Sequence, residues 1–99
     1  MAIERHVYIR LKPEHQSPLG RRALQEASAK LAHVPGVTAL SLRAPADEHA
    51  LAAWDLCLVL EFEDLDAVAG YRDHPDHRAY VDTYLAEHAA VIKAWNFEC

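Results

Sequence analysis

"WDLCLVLEFEDLDAVAGYRDHPDHRAYV", residues 54–81, sets the pattern for the whole chain. Its first ten residues alternate. Trp54, Leu56, Leu58, Leu60 and Phe62 share one face, and Asp55, Cys57, Val59 and Glu61 share the other, the period of a half-buried strand. Asp64 then stands where a helix N-cap belongs, so a short helix is predicted through Gly70. His74 and Pro75 open a second helix. Proline suits its first position, because the N–H it lacks would be unpaired there, and His74 falls at the N-cap. This helix is predicted to reach about His88, with His77, Val81, Tyr84, Leu85 and His88 roughly on one side.

Outward from this stretch the same logic repeats. "IERHVYIRLK" (3–12) alternates Ile3, Val7, Ile9 and Leu11 against Glu4, His6, Tyr8, Arg10 and Lys12, with Arg5 the one exception on the apolar side. Pro13 ends the strand. Ser17 is an N-cap candidate and Pro18 suits N1 of a helix in which Leu24, Ala27 and Leu31 recur at helical spacing. Gly20 weakens its first turn by about 1 kcal/mol relative to alanine. Pro35-Gly36 turns the chain into a short strand, "VTALSLR" (37–43). "APADEHALAA" (44–53) reads as a loop, and "VIKAWNFEC" (91–99) as the last strand. Trp54 and Trp95 are expected to face the helices.

The order β-α-β-β-α-β predicts a single α+β domain over 1–99 with a ferredoxin-like fold: a four-stranded antiparallel sheet with helices on one face. The other face is left bare. It is expected to carry Tyr8, Cys57, Val59, Ile92 and Ala94 together with His6, Arg10, Asp55 and Asn96. Such a face is large for a monomer to leave in water. The expected remedy is a homodimer through the open sheet face, closing an α+β barrel and leaving a lined cavity between sheet and helix ends.

Bulk properties narrow the function. In 99 residues the apolar fraction is 52% and the formal charge −5. That is enough for a folded core, and no basic block recruits nucleic acid. No apolar run approaches the ~20 residues of a membrane span. The N-terminus lacks a signal-peptide pattern and the two cysteines show no CxxC spacing, which points to a reducing, cytoplasmic setting. His74 and His77 lack a second ligand pair, so no metal site is expected. No cofactor motif is present.

The histidines around Pro75 have two readings. They are either the start of a helix or members of a proton-transfer cluster. A neutral imidazole can act as a base near pH 7, and Tyr71 can orient it or donate to a developing oxyanion. The N-terminus of the second helix lowers the pKa of His77. Arg10 either holds an anionic ligand or pairs with Asp55 across a dimer.

The chain resembles the stress-responsive dimeric α/β-barrel (Dabb) family over nearly its whole length. The likeness rests on "RHVYIRLKP" (5–13), "HVPGV" (33–37), "WDLCLVLEFEDLDAVAGY" (54–71), the closing "NFE" (96–98) and, most specifically, "YRDHPDH" (71–77), which matches a Y-x-x-H-P-x-H signature. The resemblance implies a homodimer. In a few plant relatives it implies polyketide cyclisation by aldol condensation with a histidine base helped by a tyrosine. Carried over by motif position, the base is His77, the helper is Tyr71 and His6 is a pocket-lining strand histidine, while Asn96 falls where an aspartate often stands. Tyr8, Arg10, Val59, His74, Val81 and Asn96 are expected to line the ligand cavity. Two readings of function result: cofactor-free acid/base chemistry on a small molecule, or a non-catalytic stress-response binding protein. A third, a monooxygenase of the related antibiotic-monooxygenase barrels, fits the H-P-x-H signature poorly.

Overall fold

The computed structural model describes residues 1–99. Strand β1 (Ile3–Leu11) is followed by a 3-10 turn and by α1 (Pro18–Ala29), whose predicted cap is present: Ser17 Oγ accepts from the Gly20 N–H at 3.0 Å. Then come β2 (Ala39–Arg43), α2 (Glu48–Ala53), β3 (Leu56–Phe62) and α3 (Leu65–Asp73). Helix α4 (Pro75–Ala79) runs on as a π-helical stretch, Tyr80–Leu85, and a last turn, α5 (Ala86–His88), before β4 (Ala89–Glu98).

The sheet has the order β2-β3-β1-β4 with every neighbouring pair antiparallel. Helix α1 and the helical run from α3 to α5 pack on one face, and the core lies there. Val7, Ile9 and Leu11 of β1 and Leu56, Leu58, Leu60 and Phe62 of β3 meet Leu24 and Leu31 from the α1 side and Val68, Tyr71, Tyr80 and Leu85 from the second helical layer. This is the α+β ferredoxin-like arrangement that the strand periodicity predicts.

Several local expectations are corrected. The stretch 44–53 is not all loop: α2 forms within it, because Asp47 Oδ1 accepts from the Ala50 N–H at 2.8 Å and caps six residues rich in alanine. Gly20 does more than weaken a turn. A Cβ there would lie 1.9 Å from the His15 carbonyl oxygen, so only glycine lets the 3-10 turn pack against α1. Gly36 holds φ +97°, the conformation its turn needs.

The faces of β4 are the reverse of those expected. Pairing sets Arg5 opposite Asn96, Val7 opposite Ala94 and Ile9 opposite Ile92, so these β4 residues share the helix-covered face. His6 is opposite Trp95 and Glu4 opposite Phe97, on the open face. Trp95 is therefore turned away from the helices, and Ile92, Ala94 and Asn96 are not on the bare face. Trp54 lies outside β3 and packs on Tyr8, ring centroids 5.5 Å apart. Asp55 is not on the bare face either. It is 1% exposed at the end of the sheet, accepting from the Leu11 N–H at 2.8 Å between Arg10 (3.5 Å) and Arg21 (3.6 Å). Both cysteines are free.

Candidate functional site

A cavity of about 190 Å³ opens between the covered face of the sheet and the helical layer. Val7 and Leu58, with Ile92 and Ala94, form its floor; Tyr71, His77, Tyr80, Val81 and Leu85 form its roof, and Arg5, Arg72 and Arg78 complete the wall. Local sequence explains how the roof is held. Asp64 Oδ1 accepts from the Ala67 N–H at 2.8 Å and starts α3, which ends by carrying Tyr71 into the core, 2% exposed. His74 then caps α4, its Nδ1 accepting from the Asp76 N–H at 3.1 Å. His77 follows in the first turn, 9% exposed.

Tyr71 and His77 come together, with ring centroids 4.4 Å apart. The His77 Nδ1 lies 2.9 Å from the Arg72 carbonyl oxygen. A carbonyl can only accept, so Nδ1 carries the proton and the neutral ring keeps its lone pair on Nε2. Burial holds the His77 pKa below that of a free histidine; the Arg72 carbonyl opposes this, and the charges of Arg78, Arg5 and Arg72 reinforce it. Burial also pushes the Tyr71 hydroxyl up to about 12, against the attraction of Arg5, so it stays a donor at neutral pH. No group of the chain hydrogen-bonds that hydroxyl. The cavity thus places a neutral imidazole beside a neutral phenol in an apolar setting, an arrangement able to move a proton and stabilise an oxyanion.

The π-helical stretch Tyr80–Leu85 supplies three residues of the roof, Tyr80, Val81 and Leu85. Helical insertions of this kind are recurrent at functional sites. Tyr80, its first residue, is anchored by Ser28 of α1, the two hydroxyls 2.7 Å apart and buried. Ser28 went unnoticed in the sequence, although a hydroxyl four residues after Leu24, on the buried stripe, is a visible anomaly.

The other residues expected at a site lie elsewhere. His6 is on the open face, its Nε2 donating to Glu4 Oε1 at 2.7 Å, with its ring edge-on to Phe97. Tyr8 and Val59 share that face, away from the cavity. Arg10 is occupied within its own chain, donating to the Leu51 carbonyl at 2.7 Å and to Gln16 at 3.1 Å and pairing with Asp55. His74 is a cap. Val81 lines the cavity, and Asn96 reaches its edge by accepting from Arg5 at 2.9 Å. Position 5, not position 6, therefore supplies the polar β1 side chain of the cavity. Glu4, Glu61 and Cys99 bring three potential metal ligands within 4.8 Å, on the opposite side of the sheet.

The profile of the stress-responsive A/B barrel domain matches residues 3–99. The chain belongs to this family, Dabb. Solved structures agree on the fold. A Dabb protein of Mesorhizobium loti with a ferredoxin-like fold is 24% identical, with a TM-score of 0.81 over 99% of this chain and 96% of that one. A dimeric ferredoxin-like protein of unknown function from Thermobifida fusca is 26% identical, with a TM-score of 0.82 over 100% and 92%. A protein of Arabidopsis thaliana is 18% identical, with a TM-score of 0.82 over 98% and 94%. No curated protein matches the chain significantly. No helix of this Dabb chain is long and apolar enough to cross a membrane.

Proposed function

We propose that the chain binds a small carbonyl compound in the cavity and that His77 removes a proton from the carbon beside the carbonyl. The observation that carries this reading is the bond from His77 Nδ1 to the Arg72 carbonyl, which leaves Nε2 as the basic atom. Nε2 takes the α-proton, the C–H electron pair becomes the carbon–carbon double bond of the enolate as the C=O π pair moves onto oxygen, and the Tyr71 hydroxyl donates to the resulting oxyanion. Attack of the enolate carbon on a second carbonyl of the same molecule closes a ring, and the proton passes from His77 to the new alkoxide. Return of the proton to another carbon isomerises instead. Neither route needs an oxidant or a cofactor.

The test is α-proton exchange in D2O, followed by NMR for a panel of simple ketones and 3-oxo esters. Wild type is expected to accelerate exchange over buffer. His77→Ala is expected to remove about 10²-fold or more of the acceleration, the usual scale of a positioned base, and Tyr71→Phe a smaller part. Binding without accelerated exchange for every compound would leave the second reading, a non-catalytic binding protein.

Self-association through the open sheet face forms part of the same proposal. Val91 (41%), Trp95 (50%) and Phe97 (54%) stand exposed there, a cluster that a second sheet would cover. Related ferredoxin-like proteins from Bacteroides fragilis and Thermobifida fusca are described as dimeric.

A further inference from the structure

The charges around the cavity do not balance. Its wall carries three arginines and no carboxylate. Arg78 is paired with Asp82, but neither Arg5 nor Arg72 takes part in an ion pair. Arg5 is partly buried, and its one side-chain hydrogen bond is to the Asn96 amide oxygen, a neutral acceptor. Burial and the neighbouring Arg72 charge both work against the Arg5 cation. A cation withdrawn from water without a counter-charge is costly. Here strand register imposes it, because Arg5 stands between Leu60 and Asn96 on the covered face. An aspartate at position 96 would neutralise Arg5; the asparagine orients the guanidinium and leaves its charge free.

We propose that Arg5 is the anion-recognising residue of the cavity and that the ligand is a small, mostly apolar monocarboxylate. The guanidinium fork holds the carboxylate, and the carbon skeleton lies against Val7, Leu58, Ile92 and Ala94. The size fits: about 190 Å³ falls below the roughly 300–1,000 Å³ of sites for drug-sized ligands. The apolar floor of Val7, Leu58, Ile92 and Ala94 disfavours a fully hydrated anion such as phosphate. The inference rests on the cavity being the ligand site. Combined with the His77 reading, it makes the substrate an oxo acid whose carboxylate is anchored at Arg5.

Benzoate and benzamide, equal in shape and different in charge, are the probes. In a ¹H–¹⁵N titration of the wild-type protein, benzoate is expected to bind at least tenfold more tightly than benzamide and to move the Arg5 Nε–H signal. Asn96→Asp is expected to remove most of that preference by pairing Arg5 internally, and Arg5→Met to abolish it. Equal binding of the two probes, binding of neither, preferential binding of inorganic phosphate, or an Arg5 signal unmoved by benzoate would each overturn the assignment. The wild-type titration decides even if a variant fails to fold. Selective benzoate binding without α-proton exchange defeats the His77 reading and leaves this one standing; exchange without benzoate selectivity does the reverse.

Discussion

At the scale of single residues, His77 has measurable consequences for stability. Its pKa is lowered in the folded protein by burial, so the unfolded chain binds a proton more readily. Stability from this group is therefore present above the unfolded value of about 6.5 and is lost as pH falls toward the folded value. Denaturant melts from pH 8 to 5 are expected to show stability declining below about pH 6.5, and His77→Asn is expected to flatten that slope. Tyr71 has the opposite sign. With its pKa raised to about 12, its contribution holds below an unfolded value of about 10 and is lost between there and 12. An ultraviolet titration is expected to give wild type and Tyr71→Phe the same absorbance change near pH 10, with the Tyr71→Phe change the smaller one only as pH approaches 12. Position 5 shows what residue-level reading can and cannot reach. Alternation marked Arg5 as the exception among Ile3, Val7, Ile9 and Leu11, which is the correct face. His6 carries the more familiar chemistry, yet one step along a strand reverses the side chain.

At the scale of elements, legibility followed cap chemistry. Ser17, Asp64 and His74 all cap the helices that their positions predict. α2 was missed because six residues are too few for an amphipathic period, although Asp47 was a visible signal. β4 was legible as a strand, but its faces were not. Val91 and Ile92 are consecutive and both apolar, and Trp95 and Phe97 make the open side as hydrophobic as the covered one. Only pairing with β1 fixes the choice. Two substitutions probe element packing. Gly20→Ala, with its Cβ aimed at the His15 carbonyl, is expected to destabilise by about 1–3 kcal/mol, as overpacking does, although alanine improves helix propensity. Ser28→Ala strands the buried Tyr80 hydroxyl, at a cost of about 1–3 kcal/mol. Both are read by urea denaturation, and restoration of stability in Ser28→Ala/Tyr80→Phe identifies the lost bond as the cause.

At the scale of the whole molecule, one face of the sheet is covered and the other carries a tryptophan half in solvent. Light scattering at micromolar concentration is expected to give twice the chain mass. Trp95→Asp, which sets a charge among the exposed apolar side chains of β4 on the open face, is expected to give a monomer with the circular dichroism of the wild type. A wild-type monomer would remove the barrel from the account and leave the cavity intact, because every wall of the cavity comes from one chain. The overall fold was legible because it depends on the number, order and period of elements. The pairing register that decides which side chains meet was not.

Pro75 looks inert, yet it governs chemistry at one remove. Were residues 65–88 one uninterrupted helix, the Arg72 oxygen would be consumed by the amide of Asp76. The break sends that amide to the His74 ring instead and leaves the oxygen for His77. The kink in the backbone thus selects a tautomer. Straightening it would improve the helix and turn the imidazole into a different reagent.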